Sequence, residues 1–315
     1  MRPRPRVELP PDIEATFRRA MRLEWLSLSL MISTAVLVYA TISHSQAMKA
    51  VFVEDVLSLI PPIAFLITGR MRWRAPNERF PYGYHRTVTV GYLCSAAALL
   101  SLGMLILFEA LSTLVKREHP TIGVLDLFGH QIWIGWLAYP VLLYSIACEY
   151  TMGRMKQPLA KELHDKTLAA DGRMNRADWM TGVAAILGIT GLTLGWWWAD
   201  ALTAAVIAVE VLHDGWANLK QVIADLMDEV PTKAHENECA DWADKLLARV
   251  RQLDWVREAD VRLREEGHIF TGEVYVVPRT TEELPRRNAE LQRLAHELDW
   301  RFHDLALVAV DHLSS

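Results

Sequence analysis

Two adjacent acidic residues, Glu54 and Asp55, lie in a run of apolar residues long enough to cross a lipid bilayer. A charge inside a bilayer costs roughly 3 kcal/mol or more, so such acids normally face a cavity, a partner or an ion. Helical spacing puts Asp55 and Ser58 on one face, with Glu54 turned about 100° away. This stretch by itself also fits an amphipathic core helix of a soluble protein, with both acids at its wet edge.

A second set of possible ligands comes later in the chain, at Met174, Asn175 and Asp178. Acids on two facing helices can build a cation site within a helical bundle. Carboxylate and amide oxygens suit hard cations, whereas the Met174 thioether would be a soft ligand. In the alternative interpretation Met174 only fills the core, and Asp178 is a first-turn residue favoured by the helix dipole.

The elements that must position these residues are apolar runs. The chain of 315 residues is 51% hydrophobic, with a mean hydropathy of +0.11, and the apolar content falls sharply after about Leu219. Six runs are each long enough to span most or all of a hydrocarbon core about 30 Å thick. They cover residues 23–42, 47–68, 88–114, 132–148, 177–194 and 200–219. Pro61 and Pro62 should kink the second helix and free backbone carbonyl groups near the acids.

Charge in the connections gives the orientation. Arginine and lysine concentrate in residues 1–22, 70–86 and 154–176, and the alternate connections contain few of them. The positive-inside rule makes the rich side cytoplasmic. We therefore predict a basic cytoplasmic arm over residues 1–22 and a six-helix transmembrane domain over 23–230. The protein would be integral to a membrane, the bacterial inner membrane, with both termini cytoplasmic.

Residues 231–315 have the pattern of a separate cytoplasmic domain. Helices are predicted over 235–253 and 282–300, and strands over 256–263, 269–277 and 305–310. Glu265, Glu266 and Gly267 fit a turn between the first two strands. The order gives a small α+β domain, ferredoxin-like with αββαβ topology. His164 and Asp165, beside cytoplasmic lysines, are expected to lie on a solvated face.

Several function classes lack support. A net charge of -5 and the absence of a basic aromatic patch give no reason to expect nucleic acid. Cys94, Cys148 and Cys239 form no CxxC pair, so neither a disulfide framework nor a cysteine zinc site is indicated. No cleaved signal peptide is expected. Without an HExxH helix or a nucleophile–base set, we predict a protein that is not an enzyme and has no tightly bound cofactor.

Four segments resemble those of a known family, the cation diffusion facilitators. They are RFPYGYHR from Arg79 to Arg86, DVLSL from Asp55, the segment from Ala170 to Asp178, and WADA from Trp198. The resemblance covers nearly the whole chain. It implies a divalent-metal exporter driven by protons, with six spans, a cytoplasmic α+β tail and a homodimer formed through the C-terminal domain. The expected partners are a divalent cation, protons, the lipid bilayer and a second copy.

The chain departs from that family at the expected transport site. The family's four ligand positions fall on Val51, Asp55, Met174 and Asp178, so the first partner of each pair is replaced and no histidine remains. Imidazole is a zinc ligand and a proton carrier, and oxygens from Glu54 and Asn175 would favour Mn²⁺, Fe²⁺ or Mg²⁺ instead. The predicted function is divalent metal efflux by proton antiport. The alternative is a transport-deficient membrane scaffold or metal sensor of the same fold.

Overall fold

The structure, a computed structural model, describes residues 10–41, 55–117, 124–127, 130–232, 241–267, 269–280 and 283–313. Its first part is mainly helical. Six helices in the described ranges are α1 (Pro11–Thr41), α2 (Ile60–Met71), α3 (Thr87–Lys116), α4 (Ile134–Leu163), α5 (Lys166–Thr193) and α6 (Ala199–Leu226). A hairpin of β1 (Val124–Leu127) and β2 (His130–Trp133) joins α3 to α4. The sequence analysis did not predict this hairpin.

Four of the helices extend well beyond the apolar runs that predicted them. Helix α1 begins at Pro11, within the segment predicted as a basic arm, and α4 continues to Leu163. Helix α5 begins at Lys166, and α6 continues to Leu226. All four extensions lie at ends that the charge pattern predicts to be cytoplasmic. Hydropathy marks only the part of a helix that matches hydrocarbon, so it misses polar turns that pack against one another beyond it.

Two described helices are long and apolar enough to cross a membrane on composition alone. They cover Pro11–Tyr39, with a mean hydropathy of 1.4, and Thr87–Lys116, with a mean hydropathy of 2.1. The number of helices before residue 230 agrees with the sequence analysis within the described ranges. Membrane crossing by α2, α4, α5 and α6 remains a prediction.

Helices α3 and α6 pack closely because glycines remove side chains from their interface. A Cβ atom added at Gly103 would lie 2.9 Å from Cγ of Leu212, and one at Gly215 would lie 2.8 Å from Cα of Leu100. Such distances are too short for real Cβ contacts, so the two backbones approach as closely as glycine allows. The α3–α6 contact also supports α5, which packs against both helices.

Gly215→Ala should lower the stability of the helical part of the protein. The new methyl group would meet the Leu100 backbone, which cannot move aside as a flexible side chain can, and overpacking of this kind costs about 1–3 kcal/mol. Gly172→Ala is the matched control, because its Cβ would meet nothing closer than 3.7 Å. Thermal unfolding of both variants in detergent measures the difference. Equal melting temperatures for the two variants would contradict the close α3–α6 contact.

The C-terminal part is a small α+β domain. It contains α7 (Trp242–Val250), β3 (Val256–Glu266), β4 (Ile269–Pro278), α8 (Leu284–Leu298) and β5 (Phe302–Ala309). Strand β4 lies between β3, to which it is antiparallel, and β5, to which it is parallel. Helix α7 packs on β3 and α8 on β5, and their apolar faces enclose a core with Phe270 at its centre. The observed order agrees with the predicted αββαβ order.

The predicted turn at the β3–β4 connection is wrong at two residues. Glu265 and Glu266 belong to strand β3 and are buried, and the turn begins at Gly267, whose φ is +75°. Two acids followed by a glycine are typical of an exposed turn. Here both acids can be buried in the strand because each has a basic partner. Glu265 pairs with Lys166 and Glu266 with Arg264. The predicted helix from residue 235 is observed only from Trp242, and residues 233–240 lie outside the described ranges.

Candidate metal centre

The second helix is interrupted beside the predicted site. Residues 55–58 form a helical turn, Leu59 is a turn residue, and α2 begins at Ile60. Pro61 and Pro62 occupy the first turn of α2 and have no backbone N–H to donate. The carbonyl groups of Leu57 and Ser58 therefore lack their usual donors four residues ahead. The α-helical hydrogen bonding is therefore interrupted at Leu59, whereas its φ of -75° and ψ of -18° remain helical, so the freed carbonyl groups are present without a change of backbone conformation at Leu59.

A direct hydrogen bond joins this segment to α5. The Ser58 hydroxyl donates to Oδ1 of Asp178 over 2.8 Å, and Ser58 is buried. Asp55 lies three residues before Ser58 in the same helical turn, so both side chains leave that turn on the same side. Oδ2 of Asp55 is buried and has no hydrogen-bond partner among the described residues. Oxygen atoms from two helices therefore meet in the interior of the bundle.

Asn175 adds a further oxygen one turn before Asp178. Its side chain is fully buried, and its Nδ2 donates to Oε2 of Glu149 on α4. Because the amide nitrogen is committed to Glu149, the amide is held in one orientation. Within the described part of the chain, Oδ1 of Asn175 accepts no hydrogen bond. A buried carbonyl oxygen without a donor is the kind of group that a bound cation would satisfy.

Glu149 is a component of the site that the sequence analysis missed. It is buried on α4, and its carboxylate lies close enough to Asp55 for electrostatic repulsion between the two. Gly153 lets α4 approach α5 here, since a Cβ atom at that position would lie 3.3 Å from Cβ of Asn175. The available signal was an acid directly after the fourth apolar run, which resembles an ordinary helix end.

The structure brings together four of the six predicted ligands. Ser58 of the second helix donates to Asp178 of α5, Asp55 lies one turn before Ser58, and Asn175 lies one turn before Asp178. Met174 is fully buried in an apolar cluster of residues from α3, α5 and α6, whose members include Leu99 and Ala208. Its position fits the packing interpretation. Glu54 lies outside the described residues.

The donor set is composed of oxygen atoms. Across the described ranges, no three side chains of His, Cys, Asp or Glu are grouped closely enough to hold a metal ion. The convergent groups are instead two carboxylates, one hydroxyl and one amide. Such a set suits a hard cation, with water completing its coordination, more than zinc, which is bound in proteins mainly by His and Cys.

A second buried polar cluster links the helical domain to the tail. Lys166 Nζ donates to Oδ1 of Asp225 over 2.8 Å, to Oγ1 of Thr232 over 2.9 Å and to Oε2 of Glu265 over 3.1 Å. We call Lys166, Asp225, Thr232 and Glu265 the junction cluster. Its members come from α5, α6, the segment after α6 and β3, so its bonds fasten the tail to two helices.

The expected solvated face at His164 and Asp165 is wrong. His164 is buried at the junction, where its Nε2 lies 2.9 Å from the Thr232 carbonyl oxygen. Burial, aided by Arg301 and Lys166, lowers its pKa to about 3, so the ring is neutral near neutral pH. Asp165 is fully buried and accepts a hydrogen bond of 2.7 Å from Arg72. The neighbouring lysines suggested solvent, but the tail covers this surface.

Glu265 makes the junction sensitive to pH. Burial raises the pKa of Glu265 from 4.5 to about 7, although the Lys166 ammonium acts in the opposite direction. The folded state therefore binds this proton more tightly than the unfolded state. The stabilisation of the folded state by protonated Glu265 is fully present below the pKa that this group has in the unfolded chain. It is lost as pH rises through about 7.

Glu265→Gln should flatten the pH dependence of stability. Glutamine keeps the shape of the side chain but cannot ionise, so the variant should lose a pH-dependent contribution of up to about 3 kcal/mol. Melting temperatures of wild type and variant, measured from mildly acidic to mildly alkaline pH, report this difference. Glu258→Gln is the control, because Glu258 is exposed on the same strand. An unchanged slope in Glu265→Gln would exclude Glu265 as the titrating group.

Comparisons with known proteins identify the helical part. A family model described as the cation efflux transmembrane domain matches residues 24–227, which is more than half of the chain. The manganese efflux system protein MneS of Bacillus subtilis is 25% identical over 201 residues, covering 63% of this chain and 64% of that protein. The zinc transporter ZitB of Yersinia pseudotuberculosis is 25% identical over 206 residues, covering 65% of this chain and 61% of that protein.

A longer match includes part of the tail. The transporter YdbO of Bacillus subtilis is 22% identical over 261 residues, covering 78% of this chain and 85% of that protein. The matches to MneS and ZitB span less than two thirds of those proteins' lengths. These relatives are named as transporters, in agreement with the prediction of a protein that is not an enzyme. From the transmembrane-domain match over residues 24–227, the chain belongs to the cation efflux family of membrane proteins.

Proposed function

We propose that this protein exports a divalent metal cation from the cytoplasm in exchange for protons. The observation that carries the proposal is the hydrogen bond from Ser58 to Asp178, which unites the interrupted second helix with α5. Asp55 and Asn175 supply further oxygens beside this contact. The resulting donor set favours a hard cation, and Mn²⁺ is our first choice because one relative is named a manganese efflux protein.

Competition for the same oxygens would couple the cation to protons. A carboxylate binds metal when it is deprotonated and releases it when it is protonated. Asp55 and Asp178 would therefore take a cation from the cytoplasm, where proton concentration is low, and exchange it for protons at the other face. The missing hydrogen bonds around Leu59 would let the second helix bend there while the bundle rocks about the site.

The charge pattern supports an orientation with both termini in the cytoplasm and helices that cross the bacterial inner membrane. The resemblance to the family implies that two copies pair through their C-terminal domains. Chemical cross-linking through single cysteines placed in α8 provides a direct measurement of that pairing. Cross-linked dimers in membranes are expected for such variants.

A second candidate function is a membrane scaffold or metal sensor that does not transport. It is favoured by one observation, the burial of Met174 among apolar side chains at a position where the family has a ligand. Loss of a ligand would weaken binding or reduce turnover. This alternative predicts a folded protein that has no metal flux.

Metal uptake into proteoliposomes under a pH gradient tests the proposal. Mn²⁺, Fe²⁺, Co²⁺, Ni²⁺, Zn²⁺ and Mg²⁺ would each be supplied, with Asp55→Ala as the site variant. Glu109→Ala is the matched control, because Glu109 is a carboxylate of α3 that lies outside the candidate site. Flux that the control keeps and Asp55→Ala loses supports transport and names the ion. No flux of any ion with folded protein supports the scaffold.

A further inference from the structure

Three charged residues from three helices meet in the interior, apart from the metal centre. Glu24 of α1, Lys156 of α4 and Asp171 of α5 are each 0% exposed. Lys156 Nζ lies 2.6 Å from Oδ2 of Asp171 and 3.3 Å from Oε2 of Glu24, and it donates to the Ser27 hydroxyl over 2.8 Å. We call these four residues the Lys156 cluster.

The charges of the Lys156 cluster do not balance if both acids are ionised. One ammonium group faces two carboxylates, which leaves an excess negative charge where no water reaches. Such a charge is strongly unfavourable, and two neighbouring carboxylates normally relieve it by keeping one proton between them. The carboxyl groups of Glu24 and Asp171 are neighbours, because both lie within 3.3 Å of the same ammonium nitrogen.

Unsatisfied oxygens give a second, independent indication of a bound proton. Within the described ranges, Oε1 of Glu24 and Oδ1 of Asp171 are buried and have no hydrogen-bond partner. A proton on either carboxyl group would supply the missing donor, since a protonated carboxyl has one O–H to donate. The same proton would bring the charge of the cluster to zero.

The surroundings add negative charge. Glu149, on the same helix as Lys156, is the next charged group within electrostatic reach of that lysine. Two basic residues of the adjoining elements have partners elsewhere: Arg72, directly after α2, binds Asp165, and Arg173 of α5 binds Asn218. In this part of the described chain Lys156 is therefore the cation available to the two acids.

The cluster lies in line with the metal centre. Asp171 precedes Asp178 by seven residues on α5, a distance of roughly 10 Å along the helix, towards the end predicted to be cytoplasmic. Asn175 and its partner Glu149 lie between the two levels. Buried polar groups thus extend from Asp178 through Asn175 to Asp171.

We propose that Glu24, Lys156 and Asp171 form a proton-binding site, separate from the metal centre and on its cytoplasmic side. One proton is shared by the two carboxyl groups. Its role in transport rests on the function proposed above. A divalent cation arriving at Asp178 would repel this proton across about 10 Å and weaken its binding by roughly two orders of magnitude, so the proton would leave to the cytoplasm. Its existence does not depend on that function.

Infrared difference spectroscopy of the full-length protein in detergent, titrated with pH and without metal, tests for the proton directly. A protonated carboxyl group gives a C=O band that a carboxylate lacks. Because Glu265 also carries a proton near neutral pH, the measurement is made in a Glu265→Gln background. We expect the band in that protein at neutral pH and its loss when either Glu24→Gln or Asp171→Asn is added. Glu162→Gln is the control and should keep the band, because Glu162 lies on α4 but accepts its hydrogen bond from Thr16.

Proton release provides the second readout. Adding Mn²⁺ to weakly buffered protein should release about one proton fewer from Glu24→Gln than from wild type, because the shared proton is absent. A band that survives in both variants overturns the proposal. If neither variant folds, the Glu265→Gln protein decides: a band in it that shifts when aspartate or glutamate carboxyl groups are labelled with carbon-13 supports the proposal, and the absence of any band overturns it.

The outcomes separate this proposal from the proposed function. Absent metal flux together with the expected infrared band would overturn transport and leave the proton site standing. Normal flux in wild type, with a band unchanged in both variants, would support transport and overturn the proton site.

Discussion

Replacing Asp178 with asparagine should reduce the rate of metal flux in proteoliposomes by at least about 100-fold. Groups that merely support a ligand cost about 10- to 100-fold when they are lost, so a carboxylate ligand should cost at least as much. Asparagine keeps the size of the side chain and can still accept the hydrogen bond from Ser58. The loss would therefore come from the missing charge, and the fold should be unaffected.

Two further variants make this result specific. Ser58→Ala removes the partner of Asp178 and should reduce flux by roughly tenfold, as expected for a group that orients a ligand. Glu109→Gln, which alters an acid elsewhere in the membrane domain, should transport at the wild-type rate. Calorimetric titration with the transported metal should show weaker binding for Asp178→Asn. Wild-type flux in Asp178→Asn would exclude this carboxylate from the transport site.

Replacing Lys166 with methionine should be the most destabilising single change at the junction. The variant keeps most of the side-chain volume but leaves Asp225 and Glu265 buried without their cation. Removing one partner of a buried ion pair costs about 3–5 kcal/mol, because the remaining charge stays desolvated. The effect should be smaller at mildly acidic pH, where Glu265 takes up a proton.

Thermal unfolding and limited proteolysis of the tail measure this change. Lys166→Met should lower the melting temperature by several degrees and expose the tail to protease, because the junction cluster connects α5 to β3. Lys161→Met is the matched control, since Lys161 is exposed five residues earlier. Equal melting temperatures for Lys166→Met and Lys161→Met would show that other contacts hold the tail.

Much of the architecture was predictable because it depends on local pattern. Apolar runs located the six helices, the alternation of short elements gave the αββαβ tail, and two prolines predicted the interrupted hydrogen bonding near Leu59. Asp55 and Asp178 were identifiable because carboxylates are rare in apolar segments. Each of these signals lies within a few residues of the feature that it predicts.

Other features depended on contacts between distant parts of the chain. The sequence assigned Glu265 to a turn and Lys166 to a cytoplasmic loop, yet they form an ion pair 99 residues apart. It gave no reason to join Glu149 to Asn175, or Lys156 to Ser27, which is 129 residues away. Met174 appeared as a possible ligand, but only its packing against α3 and α6 shows which neighbours it has.

The amino-acid sequence by itself determined the family, the helices and the two acids of the candidate site. Only the tertiary structure decided which buried charges are partners and which oxygens remain without one. The physical reason is that helical periodicity follows from local backbone geometry. The state of a buried charge depends instead on every group that surrounds it in space.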